Sequence, residues 1–280
     1  MEYLRINKKD KRRTLMALEI TQRGDVILAK DVCSSDGFPE GISVGMFVVD
    51  GLLIDAGATK MAEPSGDFWK ESKISQVVIT HNHDDHAGGC RWIQDNLNIP
   101  IYLHPDSIAE AGSVVVHPKY GNEIWGVLQP YTALPMPKTI STASGKYSFE
   151  TIDSPGHHPC HIALYERNQK WLFTGDLYLG TKMFFCYKDE NIKQLLVTLE
   201  NMLELDFDTV FCAHAGFVEN GKLRLQKKLD YLKNLQLQVS ELREGGMNDK
   251  DITAELFPFD FPFGEVSEGD WSPYNIIRTI

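Results

Sequence analysis

The stretch VITHNHDDHAGG, residues 78–89, sets three histidines and two aspartates into the six positions 81–86, directly after an apolar β-branched run. The run ISQVVIT, 74–80, has the composition of a buried strand, and AGGCRWIQDNL, 87–97, that of a short helix. The polar cluster therefore sits where a strand hands over to a helix. Two histidines at i and i+2 in such a turn can aim both imidazoles at one point, while Asp85 and His86 can aim at a neighbouring one. That geometry suits two metal ions. Zinc takes imidazole with some carboxylate, and a catalytic zinc keeps one position open for water.

Working outward, DVILAK (25–30) and SVGMFVVDGLLIDAG (43–57) are rich in strand formers, and the pair Asp50–Gly51 marks a hairpin turn, so the first part reads as antiparallel β. IPIYLH (99–104) adds another strand after the short helix, and the middle alternates strand and helix as α/β proteins do. Residues 112–137, with Tyr120, Trp125, Tyr131 and Met136, read as a long irregular insertion outside the core whose aromatics could wall an apolar pocket. KYSFETID, HIALYER and KWLFTGD then form three strands. Ile192, Leu195, Leu196, Leu199, Met202 and Leu203 recur at helical spacing, and DTVFCAH (208–214) is a strand that again ends in histidine. A second amphipathic helix runs from Leu225 to Leu242 and stops at Gly245 and Gly246, with its lysines and Arg224 on a solvated face. The tail from Leu256 onward carries Phe257, Phe259, Phe261 and Phe263 punctuated by proline, which suits an extended segment lying over the site's mouth or in a dimer contact.

With 280 residues, 42% hydrophobic and 24% charged, the chain can bury a sizeable core. Its opening segment is too charged for a secretory signal, and no apolar run approaches the roughly 20 residues a membrane span needs. Cys33, Cys90, Cys160, Cys186 and Cys212 are scattered and show no CxxC spacing, which fits free thiols in the cytoplasm. A net charge of −11 argues against a partner that is nucleic-acid backbone.

THNHDDHAGG resembles the HxHxDH signature of the metallo-β-lactamase superfamily, with the glyoxalase II-like hydrolases as the most similar branch. LLIDAGA resembles the family's first motif through Asp55, SPGHHPCHIAL the third through His157 and His161, LFTGDLYLG the fourth through Asp176, and FCAHAG the fifth through His214. In the fifth, Cys212 and Ala213 stand where the family has proline and glycine.

The resemblance implies an α/β fold, a four-layer αβ/βα sandwich of two mixed sheets with outer helices. Residues 1–219 would form the catalytic domain and 220–280 a C-terminal helical extension with the aromatic tail. It further implies one site from His81, His83 and His157 and a second from Asp85, His86 and His214, bridged by Asp176, for two divalent ions: zinc, with iron or manganese as alternatives. Asp85 would act in catalysis by orienting the metal-bound hydroxide. Asp55 and Thr80 would hold the histidine loop, and His161 would bond the loop or the substrate; Tyr178 could aim a phenol at an oxyanion. His158 is expected at the surface, His104 and His117 to be structural or exposed, and Cys160 a small buried filler. The implied activity is a dinuclear metal-dependent hydrolase opening a thioester or lactone of a small metabolite, with a homodimer as one arrangement and no membrane partner. Phosphodiester or RNA cleavage is the alternative on the same site, and a non-heme di-iron oxidoreductase the alternative of another class.

Overall fold

Two mixed β-sheets carry the chain, each begun by strands near enough in sequence to pair as hairpins. The computed structural model describes residues 18–114 and 118–280; the charged opening segment and His117 lie outside them. Strands β1 (Glu19–Arg23), β2 (Val26–Ser35), β3 (Phe38–Val49) and β4 (Leu52–Ile54) form an antiparallel meander. Asp50 and Gly51 join β3 to β4 at φ 45° and 77°, the left-handed values a two-residue hairpin turn needs. β5 (Gln76–Val78), β6 (Ile101–Leu103) and β7 (Leu134–Pro135) then add in parallel and complete a seven-stranded sheet. The second sheet is built from β8 (Thr139–Ser141), β9 (Ser148–Asp153), β10 (Ile162–Glu166) and β11 (Trp171–Gly175). A short strand β12 (Cys186–Tyr187) intervenes before β13 (Thr209–Cys212) and β14 (Gly216–Val218) extend that sheet, giving the order β14-β13-β11-β10-β9-β8 with β11 and β13 parallel. β12 pairs with β15 (Trp271–Ser272), apart from both sheets.

The helices are α1 (Thr59–Glu71), α2 (Asp84–Ala87), α3 (Cys90–Asn96), α4 (Ile108–Ala111), α5 (Lys119–Trp125), α6 (Ile192–Leu203), α7 (Gly221–Glu244), α8 (Asp249–Leu256), α9 (Pro262–Val266) and α10 (Pro273–Thr279). Side-chain alternation along the strands sorts the apolar residues into three cores. On β3, Phe47 and Val49 point between the sheets and meet Phe149, Phe173 and Phe211, while Met46 and Val48 point outward to Trp69 of α1, Ile93 of α3 and Ile124 of α5. The stacked pair Phe173–Phe211, 4.2 Å between centroids, and the edge of Phe47 at 5.4 Å from Phe173 lock the middle layer. On the far side Leu195 and Leu199 of α6, Leu229 and Leu232 of α7 and Ile276 of α10 cover Ala163, Tyr165 and Val210. Helices, sheet, sheet and helices are the expected four layers.

Three expectations are corrected. The described part of 112–137 is not an insertion outside the core: Tyr120, Ile124, Trp125, Leu128 and Tyr131 are buried with α1 and α3, and the Tyr131 hydroxyl donates to Asn82 Oδ1 at 2.8 Å. Their helical spacing covers barely two turns, too short a repeat to stand out from loop. Nor is the tail extended. It holds α9, and Ser272 accepts the Tyr274 amide at the start of α10, where Pro273 fills a first-turn position that needs no N–H. Phe263 is buried beside the first sheet's helices, while Phe257, Ile276, Ile277 and Ile280 are buried on the second sheet's side, so the tail straps the two halves together. Finally, Lys228 of α7 is not on a solvated face. It is 1% exposed, and its ammonium donates to the carbonyls of Leu177 at 2.8 Å and Tyr178 at 2.7 Å. Among the described residues no helix is long and apolar enough to cross a membrane.

Candidate metal centre

Strand ends bring the polar residues together. Asp55 follows β4, His81 follows β5, His161 immediately precedes β10, Asp176 follows β11, and His214 lies two residues beyond β13, all at one edge of the sandwich. The Ile162 amide donates to the Thr80 carbonyl at 2.9 Å, which stitches the two sheets at that edge. Gly175 lies at φ 45°, and a Cβ there would stand 2.6 Å from His161 Nε2 and 2.8 Å from Thr80 Oγ1. Only glycine lets the second sheet approach the histidine loop so closely.

Seven side chains form two adjoining groups of metal-ligating type, His81, His83 and His157 in one and Asp85, His86, Asp176 and His214 in the other. In the first, His83 Nδ1 lies 2.9 Å from His81 Nε2 and 3.2 Å from His157 Nε2. In the second, Asp176 Oδ1 lies 3.3 Å from His86 Nε2 and 3.2 Å from His214 Nε2, with Asp85 Oδ2 3.4 Å from His214 Nε2. Asp176 also reaches back: its Oδ2 is 3.4 Å from His157 Nε2. One carboxylate thus presents an oxygen to each group.

The outward nitrogens are tied down. His86 Nδ1 donates to Asp55 Oδ2 at 2.9 Å, and His214 Nδ1 to the Ser43 carbonyl at 2.6 Å. The Thr80 hydroxyl donates to Asp55 Oδ2 at 3.0 Å and so accepts from His81 Nδ1 at 3.1 Å. With Nδ1 protonated, Nε2 of each of these rings turns a lone pair toward the centre, the arrangement metal-binding histidines show. Asp55 is the hub, since its Oδ1 also accepts the Thr80 amide at 2.8 Å.

The charges fall in the same pattern. Burial pushes His81 and His83 well below the ordinary imidazole range, so both are neutral donors. Burial works against charge on His86 and His214 too, but there the Asp176 carboxylate outweighs it and draws positive charge in. His86 Nε2 and Asp176 Oδ1 are buried without a hydrogen-bond partner. An imidazole nitrogen and a carboxylate oxygen facing each other at that separation need a proton or a metal cation between them, and the donor set, imidazole with carboxylate, fits zinc or a similar divalent ion.

The other expected residues fall into place around this centre. His161 is fully buried; its Nε2 accepts the Asp176 amide at 3.1 Å, so Nδ1 carries the proton and donates to Ser154 Oγ at 2.7 Å. It holds the Asp176 turn and has no nitrogen left for a substrate. Tyr178 is packed in the outer core with Cys212. His158 is half-buried rather than on the surface, its ring 5.2 Å from that of His83 and its pKa lowered by burial to about 4. Cys160 is likewise half-buried, not a core filler, and lies near His104 and Asp106 in a third group of ligating type. There His104 Nδ1 already accepts the Asp106 amide at 3.2 Å. The buried charges that the sequence does not single out include Glu190 and Lys228: the first hides in a polar turn, the second in the lysine-rich spacing of an outwardly amphipathic helix.

The model of the metallo-beta-lactamase superfamily matches residues 46–214, which hold all seven side chains and Asp55. The chain belongs to the metallo-beta-lactamase superfamily. Within it, the chain is 28% identical over 186 residues to an uncharacterized protein of Aquifex aeolicus, covering 62% of this chain and 83% of that one. It is 28% identical over 217 residues to the hydroxyacylglutathione hydrolase of Nitrosomonas europaea, covering 70% of this chain and 68% of that one. The probable metallo-hydrolase YybB of Bacillus subtilis is 29% identical over 146 residues, 49% of this chain and 62% of its own length. Among solved structures, a metallo-beta-lactamase family protein of Thermus thermophilus superposes with a TM-score of 0.64 at 16% identity, covering 90% of each chain. A metallo-beta-lactamase from Pontibacter korlensis superposes at 0.59 with 20% identity, covering 78% of this chain and 99% of its own. At such identities the superpositions speak for the superfamily fold, and the superfamily relatives named as hydrolases mark the chain as a metal-dependent hydrolase.

Proposed function

We propose that the chain is a dinuclear hydrolase that opens an ester-like carbonyl, a thioester or lactone of a small metabolite, with two zinc ions held by His81, His83 and His157 and by Asp85, His86 and His214. The observation that carries this reading is Asp176, whose two oxygens face the two groups separately at 3.2–3.4 Å. Two ions held there would lower the pKa of a water from 15.7 to roughly 7 and polarise the acyl oxygen. The chain's own residues do the rest. Asp55, Thr80 and Ser43 keep the imidazole lone pairs inward, and Asp85, beside His214, would take and orient a proton of the attacking water.

Beside the first group stands an aromatic wall: the Tyr187 ring is 6.0 Å from that of His83, and Trp271 is 5.7 Å from Tyr187, both half-exposed. Flat apolar faces next to a hydrolytic centre favour an acyl or ring group over a phosphate backbone. The net charge of −11 and the burial of Lys228 both weigh against a polyanion. The name of the Nitrosomonas relative supports a thioester as the first substrate to try, and five free thiols support a cytoplasmic protein.

The test is a panel of thioesters, lactones, phosphodiesters and single-stranded RNA offered to zinc-reconstituted protein at physiological salt. Hydrolysis of small thioesters or lactones, abolished in Asp85→Ala, is the expected result. RNA cleavage lost in the same variant, with a silent ester panel, would move the reaction to phosphorus. Within the ester reading, Trp271→Ala is expected to raise KM about tenfold with kcat little changed, because it removes one aromatic face worth roughly 1–1.5 kcal/mol. An unchanged KM over the whole panel would remove the wall from substrate binding.

A further inference from the structure

His81, His86 and His214 have their outward nitrogens held by motif residues or by the backbone of β3. For His157 the neighbour comes from outside every motif. Glu190, in the turn between β12 and α6, is 3% exposed as a residue, and its Oε2 approaches to 3.2 Å a nitrogen, His157 Nδ1, that is otherwise buried without a hydrogen-bond partner among the described residues. Its other oxygen accepts the Tyr187 amide at 2.8 Å. Cys186, Ile192 and Leu195 close by are buried and apolar, and the charges that face the carboxylate are the His157 ring and, from α7, the buried Lys228 ammonium. A buried acid is retained in an apolar place when its charge is used.

The loop that carries His157 is docked on the same turn. The Asn191 amide donates to the Gly156 carbonyl at 2.7 Å, the Thr198 hydroxyl donates to the Pro155 carbonyl at 2.5 Å, and Gly156 sits so close that a Cβ would stand 2.6 Å from Leu195 Cα. Those contacts fix where Glu190 stands relative to the imidazole.

We propose that Glu190 is a positioning residue for the metal centre: its carboxylate keeps the proton of His157 on Nδ1, facing Oε2, and so fixes the tautomer that turns an Nε2 lone pair toward His83 and Asp176. The inference rests on the dinuclear reading above. Without the carboxylate, the proton is free to sit on Nε2, which then has no lone pair for an ion, and the ring is free to turn about its last torsion. Removing such an outer partner typically weakens an ion about 10–100-fold.

The test uses the full chain with zinc and a competing chromophoric chelator, together with cobalt(II) absorption and melting of the metal-free protein. Wild type is expected to bind two ions. Glu190→Ala is expected to bind one ion as wild type does and the other about 10–100-fold more weakly, with the cobalt spectrum of one site altered. Glu190→Gln, near-isosteric, keeps its amide oxygen on the Tyr187 amide and so turns an N–H toward His157 Nδ1; it is expected to fold as wild type and to weaken the same ion at least as much as Glu190→Ala. If both variants hold both ions as tightly as wild type, or weaken the two ions equally alongside a lowered metal-free melting temperature, Glu190 is a structural acid and the proposal is overturned. Wild type binding fewer than two ions would instead overturn the dinuclear reading itself.

Discussion

Asp176→Ala is expected to fold, to retain one ion or none, and to hydrolyse its substrate roughly a hundred- to ten-thousandfold more slowly. The fold survives because the turn is held through its backbone: the Asp176 amide donates to His161 Nε2, and the Lys228 ammonium grips the next two carbonyls. The side chain does something else. It stands between His157 on one side and His86 and His214 on the other, buried, with an oxygen for each group. Removing one preorganised electrostatic group from a hydrolytic centre costs about a hundred- to a thousandfold in rate, and the loss of an ion adds to it. Elemental analysis and steady-state rates on the same preparation check it. A variant that keeps two equivalents of metal and a rate within tenfold of wild type would show that Asp176 does not bridge.

Much of this centre was legible because its chemistry is concentrated. Its ligating side chains fall in motifs whose residue types have few other uses, and the strand runs beside them, buried on both faces, read as unbroken apolar stretches. Asp55 was legible as a supporting residue by the same resemblance. What stayed hidden depends on tertiary contact alone. Glu190 looks like any loop acid until α6 docks on the His157 loop, and Lys228 looks like a solvated lysine until the helix is seen to roll its stem inward toward Leu177. The aromatic tail misled for a different reason. Proline at the start of a helix and proline that ends one are the same letter, and only the capping serine at Ser272 separates them. Residues 112–137 were set aside as loop because two turns of helix carry too few apolar repeats to be counted.

The most discriminating change at the centre is one atom. In Asp55→Asn the backbone has no reason to move: residue 55 lies at φ 60°, a left-handed position that asparagine tolerates as well as aspartate. The new amide oxygen stays on the Thr80 amide, whose N–H must be accepted, and this turns the amide nitrogen toward His86 Nδ1 and the Thr80 hydroxyl. An N–H cannot accept. His86 Nδ1 must then become the acceptor and pass its proton to Nε2, opposite Asp176 Oδ1 at 3.3 Å. The Thr80 hydroxyl, now accepting from the asparagine, is free to donate to His81 Nδ1, which reverses that ring as well. One imidazole in each group loses the lone pair it offers an ion. Affinity is expected to fall about 10–100-fold at each site, and activity by roughly a hundred- to ten-thousandfold, the scale on which a wrong histidine tautomer acts in other hydrolases. Melting of the metal-free protein should stay close to wild type. Asp55→Ala provides the contrast, because it leaves the Thr80 amide, the Thr80 hydroxyl and His86 Nδ1 buried without an acceptor at about 1–3 kcal/mol each, so it should lower metal-free stability outright. Chelator competition and thermal melting on both variants separate the two effects. An asparagine variant that binds two ions with wild-type affinity would mean that Asp55 only fills space beneath the histidine loop.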